Sequence, residues 1–194
     1  MKTANLNIAA SPPYQTPMRW FLVAPAFLLL AGLLLVVSGS DPWLSRWHPA
    51  ALALTHLFAL GFMGSVMVGA LTQVVPVLSG QSWPSFWRDH VWPLAGYCIG
   101  VLALVAHFLW PGTPWVGKLF GVIALIALLL PLGMVAGTTL VILWRLPTLA
   151  DSIRDLRWVA VGLAATLFFA VALLSSRLFP LGVLLDHPTW VSLH

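Results

Sequence analysis

The sequence predicts an all-α polytopic membrane protein: one domain, residues 1–194, built as a bundle of five transmembrane helices. Two observations carry this. The chain is 60% apolar and 7% charged, with a mean hydropathy of +0.97, whereas a soluble domain carries about 25% charged residues. Five apolar stretches, at 20–39, 50–78, 93–110, 116–144 and 158–179, approach or exceed the roughly 20 residues needed to cross the hydrocarbon core of a bilayer. Such a composition excludes a water-soluble fold, a nucleic-acid binder and a disordered regulator.

The first stretch begins too late and runs too long for a cleaved signal peptide, so it is read as a retained helix. The second and fourth exceed the bilayer and carry Pro76 and Pro131 as kink sites. The segment LPTLADSIRDLR, 146–157, repeats Leu149, Ile153 and Leu156 at helical spacing and suits either a short interfacial helix or a solvated linker. After the fifth stretch the chain leads into a possible sixth helix, or into a segment folding back over the bundle as a lid.

All eleven tryptophans fall at span ends or in loops, where an amphipathic ring prefers the headgroup layer. With the N-terminus cytoplasmic, that side receives Lys2, Arg19, Arg88, Arg145, Arg154 and Arg157, and the outer side Arg46, Lys118 and Arg177. Six against three favours this orientation, in a bacterial-type inner (plasma) membrane. The net charge of +4 is therefore read as topology rather than as an anionic partner. The single cysteine, Cys98, supports neither a disulfide framework nor a thiolate metal site.

The five acidic residues, all Asp, lie in loops, which weighs against a proton-coupled transporter with a buried carboxylate. Histidine is the remaining polar chemistry. On this topology His48, His56, His107, His187 and His194 gather in the outer leaflet and His90 stands alone on the other side. His56 lies well inside the second helix. At about 100° per residue, Leu60, Met63 and Met67 share its face, while Gly61, Ser65 and Gly69 form an opposite small-residue ridge for packing. On the third helix Gly96, Gly100 and Ala103 share the face of His107, giving a groove that fits either a neighbouring helix or a flat macrocycle.

A lone intramembrane histidine is more often a hydrogen-bonded packing residue than a ligand. Several in one leaflet, without carboxylates, shift the balance to cofactor ligation. Haem suits imidazole ligands in apolar surroundings. Copper is the alternative metal, because Met63 and Met67 add thioethers. His-Pro followed by an apolar run and a second histidine occurs twice, His48-Pro49 to His56 and His187-Pro188 to His194, with spacings of eight and seven.

The stretch HPAALALTHLFALGFMGSVMVGALTQVVPVLSG, from His48 to Gly80, resembles a helix of the haem-copper oxidase subunit I superfamily, including its small members and the NnrS-type haem- and copper-containing membrane proteins. The matching pieces are His56, the glycines 61, 64 and 69, and the Gln73 to Pro76 end. The resemblance implies that His56 is an axial ligand of a low-spin haem, with a second ligand late in the chain. His194 is favoured for that place over His107. The three further histidines of an oxygen- or nitric-oxide-reducing centre have no counterpart in any span, and His187-Pro188 lacks a following Tyr.

The expectation is a haem b protein, an iron-binding component of a respiratory-type complex for electron transport or for handling a diatomic gas. It would sit among membrane lipid and other membrane subunits, or form a homo-oligomer, with no nucleic-acid partner. A cofactor-free structural or assembly subunit is the competing expectation. Any enzymatic role would be as a subunit of an oxidoreductase resembling that superfamily. Haem propionates are costly to leave in hydrocarbon, so one of Arg46, Lys118 and Arg177 is expected at a propionate. Arg177, beside Ser175 and Ser176, is the best placed.

Overall fold

The computed structural model describes residues 7–110, 112–146 and 151–178. Among these, five helices are long and apolar enough to cross a membrane: α1 (Gln15–Ser38), α2 (Pro49–Ser79), α3 (Trp92–Leu109), α4 (Pro114–Trp144) and α5 (Asp151–Leu178). The described residues contain no strand, so the all-α membrane bundle stands as predicted.

Local chemistry sets the boundaries. His48 precedes Pro49 as the N-cap of α2, and its Nδ1 accepts the Ala50 N–H at 3.3 Å. Proline at the first helical position forfeits a donor that would be unpaired anyway. In this copy the His-Pro pair is therefore a helix start. Gly39 and Gly80, both at positive φ, end α1 and α2. α5 opens at Asp151, so residues 151–157 form its first two turns and not a separate interfacial helix or linker. Arg157 explains this extension. Its guanidinium donates to the carbonyls of Leu143 and Leu146 and lies 5.6 Å from the Trp144 ring. It thereby supplements the long 3.4 Å backbone bond to the Leu143 carbonyl and gives the Leu146 carbonyl a donor at the end of α4.

α1 packs on α2, α2 on α3, α3 on α4 and α4 on α5. The small-residue ridge of α2 does what its spacing suggests. Ser65 is fully buried, a Cβ on Gly61 would come within 2.8 Å of Phe27, and one on Gly69 within 3.1 Å of Phe21 and Trp20. On α3, a Cβ at Gly100 would stand 2.6 Å from Leu128 Cγ. The groove of Gly96, Gly100 and Ala103 is thus filled by α4, and the neighbouring-helix reading replaces the macrocycle reading.

The tryptophan belt needs correction. Trp43, Trp47, Trp92, Trp110, Trp115, Trp144 and Trp158 face outward as expected, and Trp190 lies outside the described residues. Trp20, Trp83 and Trp87 are instead core residues, 4%, 2% and 3% exposed. Trp20 stacks on Trp87 at 5.8 Å and meets Tyr97 edge-on at 5.2 Å, and Trp83 adjoins Trp87 at 5.9 Å. The short turn Ser85–Arg88 tucks these indoles under the bundle. Arg19 closes that end by donating to the carbonyls of Arg88 and His90.

The backbone of α2 departs from α geometry between its two α-helical parts, Pro49–His56 and Ser65–Ser79. Leu57–Gly64 is a π-helix starting directly after His56. π segments are rare and are found frequently at functional sites.

Candidate functional site

A cavity of about 400 Å³ opens between the upper halves of α2, α3, α4 and α5, the end that carries Pro49, Leu109, Pro114 and Leu178. This lies within the range of cofactor and small-molecule sites. The α2 wall consists of Leu52, His56 and Leu60; α4 contributes a run from Ala124 to Leu132, and α5 a stripe from Thr166 to Arg177. Thr166 and Arg177 are eleven residues apart, about 16 Å along the helix. The cavity is therefore elongated along the bundle axis, with Arg177 and Trp47 at the upper end.

His56 is its polar wall. Its Nδ1 lies 2.7 Å from the carbonyl oxygen of Leu52. A carbonyl only accepts, so the ring proton sits on Nδ1 and Nε2 keeps its lone pair. Nε2 has no hydrogen-bond partner among the described residues. Orientation of one ring nitrogen by a backbone carbonyl is how metal-ligating histidines are commonly held. The ring also packs on Phe108, centroids 4.9 Å apart, and the Arg177 guanidinium lies 5.4 Å from the same phenyl.

The structure thus brings together two of the sequence-predicted site residues, His56 and Arg177. His107 is close by but does not line the cavity. Its Nδ1 is bonded to the Gly117 carbonyl at 2.7 Å, and its buried Nε2 lacks a partner among the described residues. A Cβ on Gly121 would stand 3.1 Å from that ring, so α4 is cut away to seat it. Met63 is 54% exposed on the outer surface and stays out of the cavity, as does Met67. The regular 100° phasing placed both methionines beside His56. The π segment advances less per residue, so the face of His56 does not continue past Leu60. His187 and His194 lie outside the described residues. Among the described residues no three His, Cys, Asp or Glu side chains gather closely enough to hold a metal ion.

Sequence reasoning missed Phe108, which packs by both His56 and Arg177, and Thr166 on the far wall. Phe108 follows His107 directly, and no periodicity signals which of two adjacent residues faces the cavity. Thr166 stands eleven positions before Arg177, three helical turns, and that spacing was available to find it. Comparison with family models, with curated proteins and with solved structures finds no match for this chain.

Proposed function

We propose that this protein binds haem b in the cavity of α2–α5, with His56 Nε2 as an axial ligand and Arg177 at the propionates. The carrying observation is an imidazole whose Nδ1 proton is committed to Leu52, set in the wall of an otherwise largely apolar, elongated cavity. The residues present fit the group. Leu104, Leu125 and Leu128 would take the apolar ring of such a group, and the Arg177 guanidinium would take its anionic groups. When bound, haem would supply one-electron transfer or reversible binding of a diatomic gas.

The chain's own residues have separate tasks. Leu52 fixes the tautomer of His56, Phe108 packs its ring, the leucines exclude water, and Arg177 neutralises charge. A second ligand would come from His194, which lies outside the described residues, with His107 as the alternative. Copper loses support relative to haem because Met63 and Met67 lie outside the cavity. We place the protein in a bacterial-type inner membrane, N-terminus cytoplasmic, as a component of a respiratory-type complex.

Purified protein is expected to show a Soret band and a sharp reduced α-band. His56→Ala should lose that haem while remaining a folded membrane protein. Colourless native protein after reconstitution with haem, or an unchanged spectrum in His56→Ala, would overturn the assignment and leave a structural subunit as the reading.

A further inference from the structure

Two consecutive carbonyls within the π segment receive side-chain donors. The Tyr97 hydroxyl, from α3, donates to the carbonyl of Leu60, and Ser65 Oγ donates to that of Gly61 at 2.6 Å. Wider i→i+5 turns disturb the regular i→i+4 ladder, and these hydroxyls take up its loosened acceptors. Tyr97 is fully buried, held edge-on by Trp20 at 5.2 Å and by Phe27 at 6.4 Å. A Cβ at Gly64 would collide with its hydroxyl, so a glycine stands where the hydroxyl must enter. Tyr97 therefore reaches the π segment along a path built for it.

The rotation of α2 makes this contact matter. In a continuous α-helix the nine residues from His56 to Ser65 amount to about 900°, putting them on opposite faces. A π segment holds more residues per turn and reduces that angle. Gly61 and Gly69 are packed against α1 and Ser65 is fully buried, so the π segment decides where the preceding residue, His56, points. We propose that Tyr97 is a positioning residue for His56: it holds the π segment open and so sets the rotation at which the imidazole enters the cavity. The inference deepens the haem reading by naming what orients the ligand, but the geometry it concerns exists without haem.

A paired-cysteine experiment tests it in membranes of the full chain. In a Cys98→Ser background, His56→Cys and Phe108→Cys replace two rings now 4.9 Å apart, and a short bifunctional methanethiosulfonate should join them in high yield. Adding Tyr97→Phe should lower that yield. Inserting one alanine after Ala59, an outward-facing residue of the π segment, adds a further residue's rotation between Ser65 and His56 and should abolish the cross-link. Near-ultraviolet circular dichroism of the Trp20–Trp87 stack checks that the bundle remains folded. Equal yields in folded protein of all three backgrounds would overturn the proposal. Separately, Tyr97→Phe in the otherwise native chain should retain haem with a shifted α-band, and an unshifted band would also count against it. Absence of haem from the native protein would defeat the haem reading alone, because the cross-linking result does not depend on it.

Discussion

The guanidinium of Arg177 lies 5.4 Å from the ring of Phe108, which itself packs 4.9 Å from the imidazole of His56. One phenyl thus links the cation of α5 to the histidine of α2. Of the three cations at this end, Arg177 lines the cavity while Arg46 lies 5.1 Å from the Trp47 ring and Lys118 points outward.

The first prediction follows from that placement. On the proposed haem reading, a positive charge near the group favours the reduced iron, so Arg177→Gln should lower the midpoint potential. At a separation of ~10 Å and an effective dielectric of ~20, the interaction is ~1–2 kcal/mol, which is tens of millivolts for a one-electron couple. Lys118→Gln and Arg46→Gln should leave the potential unchanged. Potentiometric titration of the three variants checks this, and an unshifted Arg177→Gln would remove Arg177 from the propionates.

Arg157 joins α4 to α5 through the carbonyls of Leu143 and Leu146. Arg157→Ala removes the guanidinium donors from both carbonyls, leaving Leu143 with only the long 3.4 Å bond from the Leu146 N–H, and should cost about 1–3 kcal/mol. Unfolding from mixed micelles by denaturing detergent measures that loss. Arg154, whose ion pairs with Asp151 and Asp155 are largely exposed, should contribute within about 0.5 kcal/mol when replaced by Ala.

Two glycines should respond oppositely to the same change. Gly100→Ala forces a methyl to within 2.6 Å of Leu128 Cγ and should destabilise by about 1–3 kcal/mol. Gly32→Ala meets nothing within 4 Å on the outer face of α1 and should be neutral or stabilising by up to about 1 kcal/mol. The same detergent titration separates them, and equal effects would contradict the packing of α3 on α4.

Asp89, in the loop before α3, is bound by Arg88 through two contacts of 2.7 and 3.1 Å. The hydrogen bonds from Arg88 hold its carboxyl below the usual carboxylate range. A depressed carboxyl contributes stability above its unfolded value, near pH 4, and loses it as pH falls through the folded value. The pair is exposed, so the effect is small. Acid titration should show native protein losing stability slightly more steeply below about pH 4 than Asp89→Asn; identical slopes would show that the ion pair does not contribute.

The helices were legible because each is an apolar run bounded by Trp, Pro or Gly, and the α1-facing ridge because small residues recur every four positions. The π segment was not legible. Leu57–Gly64 reads as ordinary helical sequence, and its geometry depends on a hydroxyl from Tyr97, 37 positions beyond Leu60. That one departure carried Met63 and Met67 off the expected face. Trp20, Trp83 and Trp87 were misplaced for a similar reason: a tryptophan at a span end has the same signature whether it meets headgroups or other indoles. His56 and Arg177 could be singled out individually, but their meeting at Phe108 is a tertiary fact.

α5 buries side chains near its two ends, Ile153 and Ala160 at one and Ser176 and Leu178 at the other, and none between. The Leu178 end is seated where a Cβ on Gly121 would come within 2.5 Å of it. Its 28 residues extend about 42 Å, against a hydrocarbon core of about 30 Å. A helix longer than the core adapts to its host bilayer largely by tilting. Between the two ends of α5, Leu163, Leu167 and Leu174 pack, partly buried, against the core, and the stretch from Thr166 to Arg177 walls the cavity. Any change of tilt imposed by a thinner or thicker bilayer would therefore act on the same helix that walls the cavity.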